Sequence, residues 1–362
     1  MMHFSTSTHG SATARDVFLS DVDASIARLN NHWSYLRNAQ LFITGGTGYI
    51  GRWLLETLVR ANELHGLNLN ATVLTRSPEA FLRTAPELAR TSCIQFHLGD
   101  VRDFSYPQGT FTHVIHGAAT SAGATYHQLE DPLTKFETTF DGTRRTLEFA
   151  VARKVPRFLM LGSGSLYGPM AVGQQTYVEN HDSAPSLDNM TAAMGHAKRS
   201  AEFLTACYGQ RYGISISTAR CFTFAGPYLP LDMHYALGNF VRDALWNDSI
   251  TVAGDGTPVR SYLFTGDLVV WLITLLLAGQ AGLAYNVGSD QAISIGDLAR
   301  LVGSRVAPKK EVRVLAQSAS GISVHRYVPD ISRARKALGL DVWTSLEQAI
   351  DRTALFASKA NN

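Results

Sequence analysis

The segment LFITGGTGYIG, residues 41–51, decides the fold. Its first four residues read as a mostly apolar strand, Gly45 to Gly51 as a tight turn, and the WLLETLVR run from Trp53 as the amphipathic helix that follows. Gly45 permits the sharp turn. Gly48 lets the backbone approach a pyrophosphate with no Cβ in the way, and Gly51 lets the helix close on the strand. A helix starting at Tyr49 and Ile50 offers free N–H groups and a partial positive charge to phosphates. Three glycines alone also describe an ordinary turn. The strand before and the helix after make the pattern a dinucleotide site.

Working outward, 362 residues suffice for a dinucleotide domain plus a smaller substrate domain. Residues 1–38 read as an N-terminal tail and helix, and 39–225 as the dinucleotide-binding domain, to which later elements can return. Residues 226–362 read as mainly a substrate-binding lobe. The first 14 residues are rich in Ser, Thr, His and Gly, are expected to lack stable structure, and do not have the layout of a signal peptide. A formal charge of +2 gives no electrostatic case for nucleic acid. Cys93, Cys207 and Cys221 are odd in number and far apart, which fits neither a disulfide framework nor a zinc site and points to a reducing cytoplasm. The apolar run 268–277 is too short to span a membrane and reads as a buried helix.

From residue 40 strands and helices alternate. LFIT, ATVLT, IQFHLG, HVIHGA, RFLMLGS and ISISTAR are candidate strands. Such alternation predicts an α/β fold, a Rossmann-type doubly wound parallel sheet, with ligands outside the C-terminal strand ends. After about residue 226 the alternation is expected to weaken into a small C-terminal α/β lobe.

The second strand ends TVLTRSPEAF, residues 72–81. An NAD-type fold usually places Asp or Glu here for the adenosine ribose. Thr75 and Arg76 stand there instead, and a guanidinium suits a 2′-phosphate, so NADP is favoured over NAD. The bland reading of Arg76 is a solvated surface residue. Asp100 and Val101 in HLGDVRD stand where side chains can contact adenine, or simply form a strand-end turn.

With these segments in hand, the chain resembles the extended short-chain dehydrogenase/reductases of the NAD(P)-dependent nucleotide-sugar epimerase/dehydratase family. The resemblance runs from about Leu41 to Gly339. It is carried by GGTGYIG, GDV, HGAA, FDGT, GSGSLYG, the lysine of MGHAK, RCFTFAGP, GDGTPVRSYLF, YNVG and DISRARKALG. It implies a Rossmann domain with a C-terminal substrate lobe, a tightly held cofactor, and a nucleoside-diphosphate sugar as partner. A place in polysaccharide or glycosylated-metabolite synthesis follows, as does a homodimer through helices near 133–152 and 193–212.

The resemblance also implies a catalytic Ser/Thr at a strand end and Tyr-x-x-x-Lys on the next helix. Positions i and i+4 share a helical face. The lysine lowers the phenol pKa and binds the nicotinamide ribose, and the phenolate takes a hydroxyl proton while hydride leaves. The serine falls on Ser163 and the lysine on Lys198, but the tyrosine position is Met194. A thioether cannot act as acid or base. Three readings stay open. Another group moves the proton, as the Met-Gly-x-x-Lys branch of 4,6-dehydratases suggests. The protein binds cofactor without turnover. Or Met194 is an engineered or helix-shifted replacement for a nearby phenol. His196 points elsewhere on the helix, whereas Tyr126 and His127 are plausible bases. Tyr167 is expected to be structural, and Tyr177 lies in an unplaced loop.

Dehydratases of this kind carry an acidic pair, or Asp-Lys, after the Ser/Thr, and the decarboxylases a Glu two positions on. Gly164 and Ser165 stand there, which favours an epimerase, with a dehydratase or keto-sugar reductase as alternatives. Carried over from the family, Arg260 and Asn239 face the diphosphate, while Thr223 replaces an asparagine. Ala118 and Ala119 line the cofactor, and Thr120 and Ser121 contact phosphate or sugar. His116 is expected to pack beneath the turn rather than bind a metal.

Overall fold

The computed structural model describes residues 13–120, 131–171, 173–233, 235–316 and 325–360. Strand β1, Gln40–Thr44, lies centrally. On one side follow β2, Asn70–Thr75, and β3, Ile94–Leu98. On the other follow β4, His113–His116, β5, Arg157–Ser163, and β6, Ser215–Cys221. A seventh strand, Ala284–Val287, pairs with β6. The order is β3-β2-β1-β4-β5-β6-(Ala284–Val287), with every pairing parallel. The winding reverses between β1 and β4, and the crevice at such a reversal is where open α/β sheets bind ligands.

A sheet covered on both faces needs strands apolar on both sides. Leu41, Phe42 and Ile43 are all buried. Phe42 meets Phe104, Phe111 and Phe149 on one face, at centroid distances of 5.4, 5.9 and 4.3 Å. Leu41 and Ile43 belong to the opposite core, with Trp53 and Leu55 of helix Tyr49–His65. Helix Ala14–Leu29 adds Phe18, Val22, Ile26 and Leu29 to that core, and Arg15 grips Glu56 at 2.9 and 3.0 Å.

Helix Thr265–Ala278 and strand Ala284–Val287 return to the central sheet, and thirteen residues of that helix are buried. Among the described residues no helix is long and apolar enough to cross a membrane. Outside the sheet, strand Val259–Arg260 runs between Ile293–Ser294 and Arg326–Tyr327, pairing Arg260 with Tyr327. This pairing brings the Tyr327 phenol beside Gly164 at the end of β5.

Candidate active site

Each glycine of the turn has a different physical reason. Gly45 has φ +74°, and a Cβ there would meet the Gly117 carbonyl carbon and oxygen at 2.6 Å. The β1 turn therefore presses directly on the end of β4. A Cβ on Gly51 would meet the Gly45 oxygen at 2.3 Å, so the helix closes on the turn itself. At Gly48 the nearest atom is 3.5 Å away, an ordinary contact. The fold does not need a glycine at 48, but an external group lying on the backbone would. Helix Tyr49–His65 has no side-chain cap at its N-terminus, so its first N–H groups are open to an anion. These residues fit a dinucleotide pyrophosphate. The Tyr49 side chain turns away and hydrogen-bonds Thr265, whose hydroxyl donates to the Ala225 carbonyl. Ile50 packs against the core.

Beneath the turn, the Ala118 N–H donates to Thr44 Oγ1 (3.1 Å), and Thr44 Oγ1 bonds His116 Nδ1 (2.8 Å). His116 Nε2 meets Thr143 Oγ1 at 3.0 Å, and that hydroxyl donates to the Thr139 carbonyl. Both ring nitrogens are thus engaged. Burial and the nearby Lys198 cation push the His116 pKa down to about 3, so the ring stays neutral. As expected, His116 packs beneath the turn. No group of three or more metal-ligating side chains occurs among the described residues. Ala119 and Thr120 follow half-buried.

Lys198 lies on helix Ala193–Tyr212 and is buried. Its Nζ donates to the Leu161 carbonyl at 2.7 Å, one acceptor among the described residues for three donors. Burial lowers its pKa to about 8, partly opposed by Cys221. Met194, one turn earlier, receives a weak contact from the Thr139 hydroxyl at 3.8 Å. The neighbouring Gly195 explains why this helix comes so close: a Cβ there would meet the Ser165 carbonyl oxygen at 2.4 Å. His196 turns outward to the Ser186 carbonyl.

Ser163 ends β5, and its Oγ accepts from the Ser165 N–H at 3.1 Å. The phenol oxygen of Tyr327 lies beside the adjoining Gly164, 2.8 Å from where a Cβ there would stand. The Ser163 Cα is in register with that of Cys221 on β6. Tyr327 carries the Arg260 guanidinium over its ring at 5.9 Å. Arg260 donates to the Val259 and His325 carbonyls and has no carboxylate partner among the described residues; burial lowers its pKa. A desolvated cation without a counterion suits a phosphate.

The other assigned residues are less involved. The Thr223 hydroxyl donates to the Ser261 carbonyl, and Asn239 Oδ1 accepts from Arg242 of its own helix at 3.4 Å. At the adenosine end, Thr75 Oγ1 accepts from the Ser77 N–H, and Arg76 is exposed at the tip of β2. Burial raises and Arg102 lowers the Asp100 pKa, with the net effect downward. That carboxylate is held by Arg102 within its own turn at 2.8 Å. Val101 is buried against Gly142. Ser121, Tyr126 and His127 lie outside the described residues. Tyr167 is structural, donating to Asn286 and stacking on Tyr177 at 4.9 Å. Sequence reasoning missed Tyr327. Its only signal was a tyrosine three residues before DISRARKALG.

Fold and site together define an extended short-chain dehydrogenase/reductase. The chain belongs to the NAD dependent epimerase/dehydratase family, which it matches over residues 41–288. It is 26% identical over 322 residues to a UDP-glucuronic acid decarboxylase 6 of Arabidopsis thaliana, covering 89% of this chain and 90% of the relative. A Xenopus tropicalis UDP-glucuronic acid decarboxylase 1 is 25% identical, with 88% and 72% covered. Among solved structures, a UDP-glucose 4-epimerase of Thermotoga maritima superposes with TM-score 0.74 at 20% identity, over 89% of this chain and all of that one. A Bacillus anthracis dTDP-glucose 4,6-dehydratase in complex with NAD gives 0.73 at 17%, over 89% and 97%. These likenesses establish the fold.

Proposed function

We propose that the protein is an NAD(P)-dependent nucleotide-sugar epimerase, which oxidises a carbinol of a nucleoside-diphosphate sugar and reduces it from the other face. The observation that carries the choice of reaction is the closed space at Gly164. A side chain there would meet the Phe222 ring at 2.7 Å and the Tyr327 oxygen at 2.8 Å. The position after Ser163 therefore offers no carboxylate for elimination, whereas an epimerase needs none.

A bound nicotinamide supplies hydride acceptance and return. The chain's own residues do the rest. Gly48 and the first N–H groups of helix Tyr49–His65 hold the pyrophosphate. The spare donors of Lys198 hold ribose hydroxyls, and Ser163 holds the reacting sugar hydroxyl. Arg260 pairs with the sugar's diphosphate. Exposed Arg76 favours NADP over NAD. A homodimer through helices Pro132–Ala152 and Ala193–Tyr212 belongs to this reading; Leu133 and Phe203 are exposed on them.

One observation favours a second reading. The curated relatives at 25–26% identity are named decarboxylases, so release of CO2 from a uronic acid sugar is the alternative. Incubation with a panel of UDP-, dTDP-, GDP- and CDP-sugars, followed by mass and NMR, separates them. Unchanged mass with altered ring couplings supports the epimerase. Loss of CO2 or of water replaces it with the lyase, and no nucleotide binding at all removes both.

A further inference from the structure

The site holds a phenol that no family position assigned. Tyr327 comes from the far end of the chain, on the strand Arg326–Tyr327, and reaches Ser163 because that strand pairs with Val259–Arg260. Its oxygen lies 2.8 Å from the point that a Cβ on Gly164 would occupy, which sets the phenol at the end of β5 beside Ser163. Its ring packs on Phe222 at 4.6 Å, and the Arg260 guanidinium stands over the Tyr327 ring at 5.9 Å.

We infer that Tyr327 takes the proton-transfer place that Met194 leaves empty, working as a pair with Ser163. This rests on the nucleotide-sugar reading above. The donor capacity of Ser163 allows it. Ser163 Oγ already accepts from the Ser165 N–H, so its own proton is free to point at the Tyr327 oxygen. In the oxidising half, Tyr327 enters as phenolate. The sugar O–H proton crosses to Ser163 Oγ as the Ser163 proton crosses to Tyr327, a C=O forms, and hydride goes to the nicotinamide. The reducing half returns both, so no external oxidant, reductant or net proton is required.

The groups facing Tyr327 set its charge balance. Burial and the neighbouring Cys221 and Tyr177 raise its pKa, while the Ser163 hydroxyl and Arg260 lower it, with the net direction upward. Lys198 stands next to Cys221. The phenolate is therefore scarce at neutral pH, and turnover should climb as pH rises.

The test uses the full chain with its cofactor. Tyr327→Phe keeps the ring packing, so NAD and nucleotide-sugar dissociation constants should stay within about threefold, while turnover falls roughly a hundredfold or more. Ser163→Ala should lower turnover as far, and the double variant should be no slower than either, because paired groups are non-additive. The rising pH limb should vanish in Tyr327→Phe. A readout free of turnover is the ring-carbon NMR signal of Tyr327 in 13C-tyrosine-labelled protein, assigned by its loss in Tyr327→Phe, which should shift in Ser163→Ala. A Tyr327→Phe enzyme within about threefold of wild type, or with the same pH limb, overturns the inference. If the wild type moves no hydride with any nucleotide sugar, the enzyme reading has failed instead, and an unshifted NMR signal then overturns the pair itself.

Discussion

The hydroxyl oxygen of Tyr327 sits 2.8 Å from the point that a Cβ on residue 164 would occupy. One side chain from the lobe has closed the space after Ser163, and the glycine at 164 is the counterpart of that closure. Gly164→Ala must therefore displace the Phe222 ring or the Tyr327 phenol. Overpacking of this kind costs about 1–3 kcal/mol, read as a lower urea midpoint. An unchanged midpoint would mean that the lobe strand adjusts freely.

The glycine turn should separate stability from binding. Gly48→Ala meets only an ordinary contact, so its unfolding free energy should stay within about 0.5 kcal/mol of wild type. Its Cβ nonetheless projects where the pyrophosphate must lie, so dinucleotide affinity should fall. Gly51→Ala strikes the Gly45 oxygen and should lose stability and binding together. Thermal unfolding and cofactor titration on the same two proteins check this. Equal effects at both positions would remove the distinction.

Met194→Tyr tests whether the usual phenol position is still useful. Gly195 brings this helix against the Ser165 carbonyl, so residue 194 is close to the site, yet Met194 faces Thr139. With Tyr327 already serving Ser163, turnover should be unchanged or lower. Activity that appears only in Met194→Tyr would show that the wild-type site was degenerate.

Much of this was legible beforehand, for a physical reason. All six expected strands form, because buried parallel strands read as continuous apolar runs, as FLML of β5 does. The i, i+4 relation of Met194 and Lys198 likewise needs nothing beyond helix geometry. Tyr327 was not legible: its placement depends on a two-residue strand pairing with Arg260, far away in sequence, and no periodicity announces so short an element. Nor were the neighbours of Asp100 and Thr223 legible, Arg102 and the Ser261 carbonyl, because sequence spacing does not rank such contacts.

Arg76 should set cofactor preference. It is exposed at the tip of β2, and its charge bears on Asp100, which Arg102 already holds. Arg76→Ala should weaken NADP(H) about tenfold or more, the worth of one charge-assisted contact, and leave NAD(H) within about twofold. Equal effects on both cofactors would make Arg76 a surface residue.

Acid should unfold this protein earlier than its carboxylates alone require. Burial lowers His113 to about 4 and His116 to about 3, from an ordinary 6.5. Between these values and 6.5 the unfolded chain binds more protons, so stability is intact above pH 6.5 and falls as pH drops. The loss is about 2 kcal/mol per histidine at pH 5. His116→Gln should flatten that slope in urea unfolding at pH 7 and pH 5, whatever it does to stability at pH 7. An unchanged slope contradicts the neutral buried ring.

The central claim is hydride recycling on a nucleotide sugar. The most direct measurement follows a UDP-sugar deuterated at the oxidised carbon, incubated with the purified protein and catalytic NAD(P). The account predicts an epimer of unchanged mass that keeps its deuterium, because hydride leaves and returns within one active site. Deuterium exchanged away, or a product lighter by water or CO2, would contradict it.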